Sequence, residues 1–189
     1  MFARPHAVAV ALILALLARP ASGNAYHDAI ATDDMERLEA LCQKQGDPGL
    51  NERGQGGQSP LMMATLMGKT KAVEILLKAK ADPSVAEQDG YTPMHGAGFQ
   101  GRAEIAKLLI KHGLDPSDRH EDGYTPIHRA CWGSQARHTE TVEALLEGGV
   151  HPNEPTSRGQ LPVQLAATAE TRKVLHEWLH GRNEPKDEA

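Results

Sequence analysis

The sequence predicts an all-α solenoid of stacked helix-turn-helix units joined by loops and β-turns, and three observations lead there. First, Asp89-Gly90-Tyr91-Thr92-Pro93-Met94-His95 recurs 33 residues later as Asp122-Gly123-Tyr124-Thr125-Pro126-Ile127-His128. Self-similarity at a fixed period of this length is the signature of a repeat array. Second, an alanine stands four residues after each of Pro60, Pro93, Pro126 and Pro162, as Ala64, Ala97, Ala130 and Ala166. Proline at the first helical position gives up no useful hydrogen bond, and a small alanine lets neighbouring helices approach closely. Third, 40% of the 189 residues are hydrophobic but only 4% are aromatic. Burial therefore rests on Ala, Leu, Ile, Val and Met in thin layers rather than on one large core.

Residues 1–23 read as a secretory signal peptide. Arg4 and His6 precede an apolar run from Ala7 to Leu17, followed by Arg19, Pro20 and small residues at Ala21, Ser22, Gly23 and Ala25. Cleavage is expected after Gly23 or after Ala25. The run covers only about half of a bilayer core as a helix, so cleavage is favoured over a membrane span. Twenty Lys+Arg against 25 Asp+Glu give a net charge of −5 with the signs interspersed. That balance excludes the clustered basic footprint that nucleic-acid binding requires. The expected product is soluble and acidic, and lies in the secretory pathway, outside the cell or, in a bacterium, in the periplasm.

The repeat domain is expected over residues 24–181, in units of about 24–57, 58–90, 91–123, 124–159 and 160–181. In the three middle units Ser59, Thr92 and Thr125 precede the proline and are placed to cap a first helix. The second helices carry the apolar triplets Ala40-Leu41-Cys42, Ile75-Leu76-Leu77, Leu108-Leu109-Ile110 and Ala144-Leu145-Leu146. Turns follow at Asp47-Pro48, Asp82-Pro83, Asp115-Pro116 and His151-Pro152. The four prolines that open first helices are separated by 33, 33 and 36 residues, so one unit has a three-residue insertion, within Gly133 to Arg137. The first unit lacks Thr-Pro and the last lacks the inter-helix glycine, as terminal repeats with one wet face do. Residues 182–189, charged and Pro-containing, are expected to form a disordered tail.

Thr92-Pro93-Met94-His95-Gly96-Ala97 and Thr125-Pro126-Ile127-His128-Arg129-Ala130, at this period, resemble the ankyrin repeat, and the resemblance extends from Tyr26 to His180. It implies a rigid frame without catalytic activity or cofactor, which binds another protein through variable positions on a concave face. Those positions fall on Tyr91, Phe99, Tyr124 and Trp132, flanked by Asp89, Asp122, Gln88, Glu121 and Gln100. Tyr and Trp combine apolar area with a polar tip and few rotatable bonds, which suits them to binding hot spots. Asp89 and Asp122 are expected to select a partner that offers Lys or Arg. The insertion lies directly after Trp132 and lengthens the turn beside this face. In the competing arrangement Phe99 and Trp132 fold back and seal the gap between helices. A monomer is expected of an array capped at both ends.

Other candidate chemistry is weaker. His176-Glu177-Trp178-Leu179-His180 matches H-E-x-x-H, in which two histidines one helical turn apart bind zinc and the glutamate is the general base. A small zinc hydrolase is thus the alternative function. Aligning the units puts His176 and His180 at outward positions and Trp178 and Leu179 at buried ones, and a third ligand is wanting, so no metal site is expected. His95 and His128 stand one repeat apart, too far to share a zinc, and are expected to tie helix starts to neighbouring turns. Cys42 and Cys131, two repeats apart, exceed disulfide reach and are expected to be separate buried thiols.

Overall fold

The computed structural model describes residues 24–44 and 46–181; the expected signal segment and the tail lie outside them. Among the described residues there are ten α-helices and no strand. They are α1 (Ala25–Ala31), α2 (Met35–Cys42), α3 (Pro60–Met67), α4 (Thr70–Lys78), α5 (Pro93–Gln100), α6 (Ala103–Lys111), α7 (Pro126–Cys131), α8 (Ala136–Glu147), α9 (Pro162–Leu165) and α10 (Ala169–His180). Consecutive helices pair into five hairpins. The first helices of the pairs stack as one layer and the second helices as another.

The repeated sequence positions do the same work in each unit. Leu61, Met94 and Ile127, each next to a helix-opening proline, are buried between the layers, as are Ala64, Ala97 and Ala130. From the second helices Leu76, Leu109 and Leu145 meet them. Each such leucine stabilises the stack by about 1.5–3 kcal/mol. The terminal unit behaves differently. With no neighbour on its outer side among the described residues, α2 leaves Leu41 half-buried, and Cys42 is likewise half-buried rather than buried as expected. Trp178 and Leu179 in α10, at the other end, are half-buried for the same reason. Both thiols are free; burial pushes Cys131 up to about 12, which keeps it protonated.

Caps follow the sequence in part. Ser59 Oγ accepts from the Met62 amide at 3.2 Å, as expected of a capping serine. Thr92 and Thr125 use their hydroxyls otherwise. Thr125 Oγ1 lies 2.8 Å from His128 Nδ1, which also accepts from the Thr125 amide at 3.1 Å. Nδ1 is thus the acceptor, and Nε2–H donates to the Glu154 carbonyl of the following turn at 2.8 Å. Burial, aided by Arg119 and Arg129, lowers His128 from 6.5 to about 4 and keeps this neutral form. His27 makes the same kind of link, with Nε2 2.8 Å from the Gln58 carbonyl. Thr92 Oγ1 lies 2.8 Å from His95 Nδ1 and 3.3 Å from Asp118 Oδ2. His27 and His128 therefore tie helix starts to neighbouring turns, as expected of His128, whereas His95 bonds to Thr92 of its own helix start and it is Thr92 that reaches Asp118.

Inside the first three pairs the chain reverses through a left-handed residue, Asp33 (φ 59°), Gly68 (φ 71°) and Gly101 (φ 67°). A Cβ at Gly101 would press on Arg137 and His138 besides. The fourth pair turns over residues 132–135, and α8 runs 12 residues against nine in α4 and α6. The insertion thus amounts to three extra residues in α8, and the turn after Trp132 is longer because α7 has six residues against eight in α3 and α5. Between pairs, each connecting loop ends in a β-turn: the amides of Gly57, Gly90, Gly123 and Gly159 donate to the carbonyls of Gly54, Glu87, His120 and Thr156.

Candidate functional site

A groove runs where the loop tips meet the first-helix layer. Its walls are set by one repeated position, three residues beyond each helix-opening proline. That position holds Met63, Gly96, Arg129 and Leu165 in successive units. Two neighbours of opposite size, Gly96 and Arg129, divide the groove into an open part and a filled one.

Arg129 fills its part. It projects from α7, is 9% exposed, and its guanidinium sits 4.9 Å from the Tyr91 ring, 5.3 Å from that of Tyr124 and 4.7 Å from that of Trp132. Each contact of a desolvated guanidinium with an aromatic face stabilises by roughly 0.5–2 kcal/mol. The charge is answered by Asp122, which Arg129 Nη2 contacts directly, and Nη2 also donates to Tyr91 Oη at 3.1 Å. Tyr91 Oη donates in turn to Asp122 Oδ2 at 3.0 Å, and the Tyr124 amide donates to Asp122 Oδ1 at 3.1 Å. Partial burial raises the Asp122 carboxyl, but hydrogen bonds from His120, the Tyr124 amide, Arg129 and Tyr91 outweigh it and hold it at about 2. Burial, with the bond to Asp122, pushes the Tyr91 phenol up. Behind this cluster the His120 ring stacks on Tyr91 at 3.8 Å, and His120 Nε2 lies 2.8 Å from the Asp89 carbonyl, joining adjacent loops.

Gly96 opens the other part. A cavity of ≈ 260 Å³ lies between α3 and α5, bordered by Met62, Leu66, Glu87, Tyr91, His95, Gly96, Phe99, Gln100 and Arg129. On the far side of Phe99 a second cavity, of ≈ 290 Å³, reaches Trp132 and the inserted turn at Gly133, Ser134 and Gln135. Phe99 stands between the two with 55% of its surface exposed, and Trp132 is 37% exposed. Buried His138, from α8, holds the backbone here, with Nε2 3.3 Å from the Phe99 carbonyl.

The structure brings Tyr91, Tyr124, Trp132 and Asp122 together around Arg129 and places Phe99 and Gln100 on the adjoining cavity. Tyr91 and Tyr124 are half-buried supports as well as surface, whereas Phe99 and Trp132 stay exposed instead of folding back to seal the gap between helices. The role expected of Asp122 changes: its carboxylate is engaged by the chain's own Arg129, and an incoming cation would have to compete with that partner. Asp89 is exposed at its loop tip, as are Gln88 and Glu121. Arg129, Gly96 and Glu87 were not singled out from the sequence. The signal for the first two was the alternation of Met, Gly, Arg and Leu at a single repeat position.

His176 and His180 are exposed on α10 with ring centroids 4.3 Å apart, and Glu177 pairs with Lys173 at 3.7 Å. Among the described residues no group of three or more His, Cys, Asp or Glu is placed to hold a metal ion. Nor is any described helix long and apolar enough to cross a membrane.

Comparison with known families places this geometry. A model described as ankyrin repeats in three copies matches residues 79–156, and one described as the ankyrin repeat matches residues 56–87. Among curated proteins there is no match.

Proposed function

Because the chain belongs to the ankyrin-repeat family, whose stacks are protein–protein interaction modules, we propose that it is a non-catalytic binding protein that holds a segment of a partner protein in this groove and does so after export. Phe99 carries the proposal. A phenylalanine 55% exposed between two cavities has apolar area ready to be covered and few rotors to freeze, the profile of an interface anchor. Trp132 extends the same surface toward the inserted turn. The proposal of export rests on the pattern of residues 1–23. Asn24 bears on the cleavage position: its Oδ1 accepts from the Tyr26 amide at 2.9 Å and caps α1, and its Nδ2 donates to the Gly49 carbonyl at 3.0 Å. A cut after Gly23 retains that cap, whereas one after Ala25 removes it.

The test is quantitative capture from an extract of the compartment that receives exported proteins, with the wild type against Phe99→Ala/Gln100→Ala. Phe99 is mostly exposed and neither side chain touches the Arg129 guanidinium, unlike Tyr91, Tyr124 and Trp132, whose removal would strip Arg129 of its surroundings. One protein captured by the wild type and lost by the variant is the expected result; capture indifferent to the change overturns the assignment of the groove. N-terminal sequencing of the protein recovered from that compartment should begin at Asn24. A start at Met1 overturns the signal-peptide assignment.

A further inference from the structure

We infer that the cavity beside Gly96 receives the side chain of a lysine or arginine from the partner segment. This rests on the groove being the binding face and adds what it recognises. Four features point to a side chain with an apolar stem and a cationic head. The floor is apolar, made by Met62 and Leu66 with Phe99 along one edge. Glu87 lines the cavity half-buried, and among the described residues its carboxylate forms no ion pair or hydrogen bond. The cation already present, Arg129, is neutralised by Asp122, so it does not repel a second positive charge as a bare guanidinium would. Beyond Glu87 the loop tips carry Asp89 and Glu121, both exposed and, among the described residues, without an ion pair, and carboxylates at the approach favour a basic segment.

Other occupants fit less well. A wholly apolar side chain would take water from Glu87 and give nothing back, and a half-buried carboxylate left unpaired is costly. An acidic side chain would meet Glu87 directly. Lysine and arginine lay their methylenes on apolar surface while the head reaches a polar rim, and here the rim is Glu87. Space for the stem is the cavity itself, which Gly96 borders without sending a side chain into it, where the next unit has Arg129.

The test is selection of a random dodecapeptide display library on the purified protein. It is followed by fluorescence anisotropy of the enriched peptides on the wild type, Glu87→Gln, Gly96→Leu and Phe99→Ala. The expected peptides share a Lys or Arg whose replacement by norleucine weakens binding about tenfold on the wild type, about 1.4 kcal/mol, and has no further effect on Glu87→Gln. Gly96→Leu, filling the cavity and pressing on Met62 and Leu66, should abolish binding and melt somewhat below the wild type, so its binding is read at a temperature where circular dichroism shows it folded. Enriched peptides without a basic position, or equal binding to the wild type and Glu87→Gln, overturn the inference. If Phe99→Ala loses the peptides while Glu87→Gln and Gly96→Leu keep them, the groove stands and only the basic side chain falls. If no variant changes binding, or no peptide is enriched, both fall.

Discussion

The two halves of the groove are built from the same repeat position and end in opposite states. Around Arg129 the face is filled by the chain itself, with three aromatic rings on one guanidinium and a carboxylate beneath it. Around Gly96, one unit earlier, the face is hollow and its largest aromatic, Phe99, meets water. The difference teaches that in a stack of this kind a single side chain decides whether a stretch of the groove is filled by the chain itself or left open. The backbone frame is nearly the same in both places.

Four measurements break or sharpen that contrast. The largest effect is expected from acid, and it falls on the filled side. Folded His128 titrates at about 4 and an unfolded histidine near 6.5. Between those pH values the unfolded chain binds a proton that the folded chain refuses, so stability falls as pH drops from 6.5 to 4. The loss is about 3 kcal/mol at ~1.4 kcal/mol per pKa unit. His95, lowered by its own burial, acts in the same direction. Asp122 takes over below. Its folded value of about 2 lies under the unfolded 3.8, so its contribution is complete above that unfolded value and disappears as pH falls toward 2. Urea midpoints measured from pH 7 to pH 3 should decline chiefly between 6.5 and 4; a flat profile there contradicts the neutral, buried His128.

Asp122→Asn comes next. It leaves Arg129 buried with its charge unanswered, and breaking a fully buried pair costs roughly 3–5 kcal/mol. Asp122 keeps 34% of its side-chain exposure, which places the expected loss lower, at about 2 kcal/mol by urea denaturation. A loss no larger than that of an ordinary surface substitution would show that the filled half is held by its rings alone.

The two glycines inside α5 then separate close packing from open space. A Cβ at Gly98 would collide with the backbone carbonyl of Pro126, which cannot move without shifting α7, whereas one at Gly96 meets only the ends of Met62 and Leu66. Gly98→Ala should lower stability by about 1–3 kcal/mol as overpacking. Gly96→Ala should be near neutral, its gain in helix propensity of up to about 1 kcal/mol offset by those contacts. Equal losses in thermal unfolding would mean that the cavity beside Gly96 does not exist. Smallest of all is Phe99→Ala, expected to change stability by less than about 0.5 kcal/mol, as surface substitutions do. A larger loss would make Phe99 a packing residue and move it to the filled side of the comparison.

The layered stack was legible in the sequence because its signals are local and repeated. Proline opens four of the five first helices, alanine sits four residues on, and in two units histidine turns back to the threonine. The Arg129 cluster was not, because its members belong to different units: Tyr91 lies 31 residues from Asp122 and 38 from Arg129. Aligning repeats puts Tyr91 beside Tyr124 as equivalents and says nothing of which loop leans on which helix. For the same reason the sequence made Asp122 a ligand for a partner, since a carboxylate at a loop tip carries no mark of the buried cation behind it. Cys42 was placed too deep because its slot was judged from interior units that have a neighbour on both sides.

The three extra residues after Trp132 are absorbed within their own unit, in its second helix. In a closed ring or barrel such an addition has to be compensated around the whole circuit, or closure fails. An open stack has no circuit to complete. Its units can change length one at a time, and the binding face can be remodelled by small insertions without renegotiating the rest of the molecule.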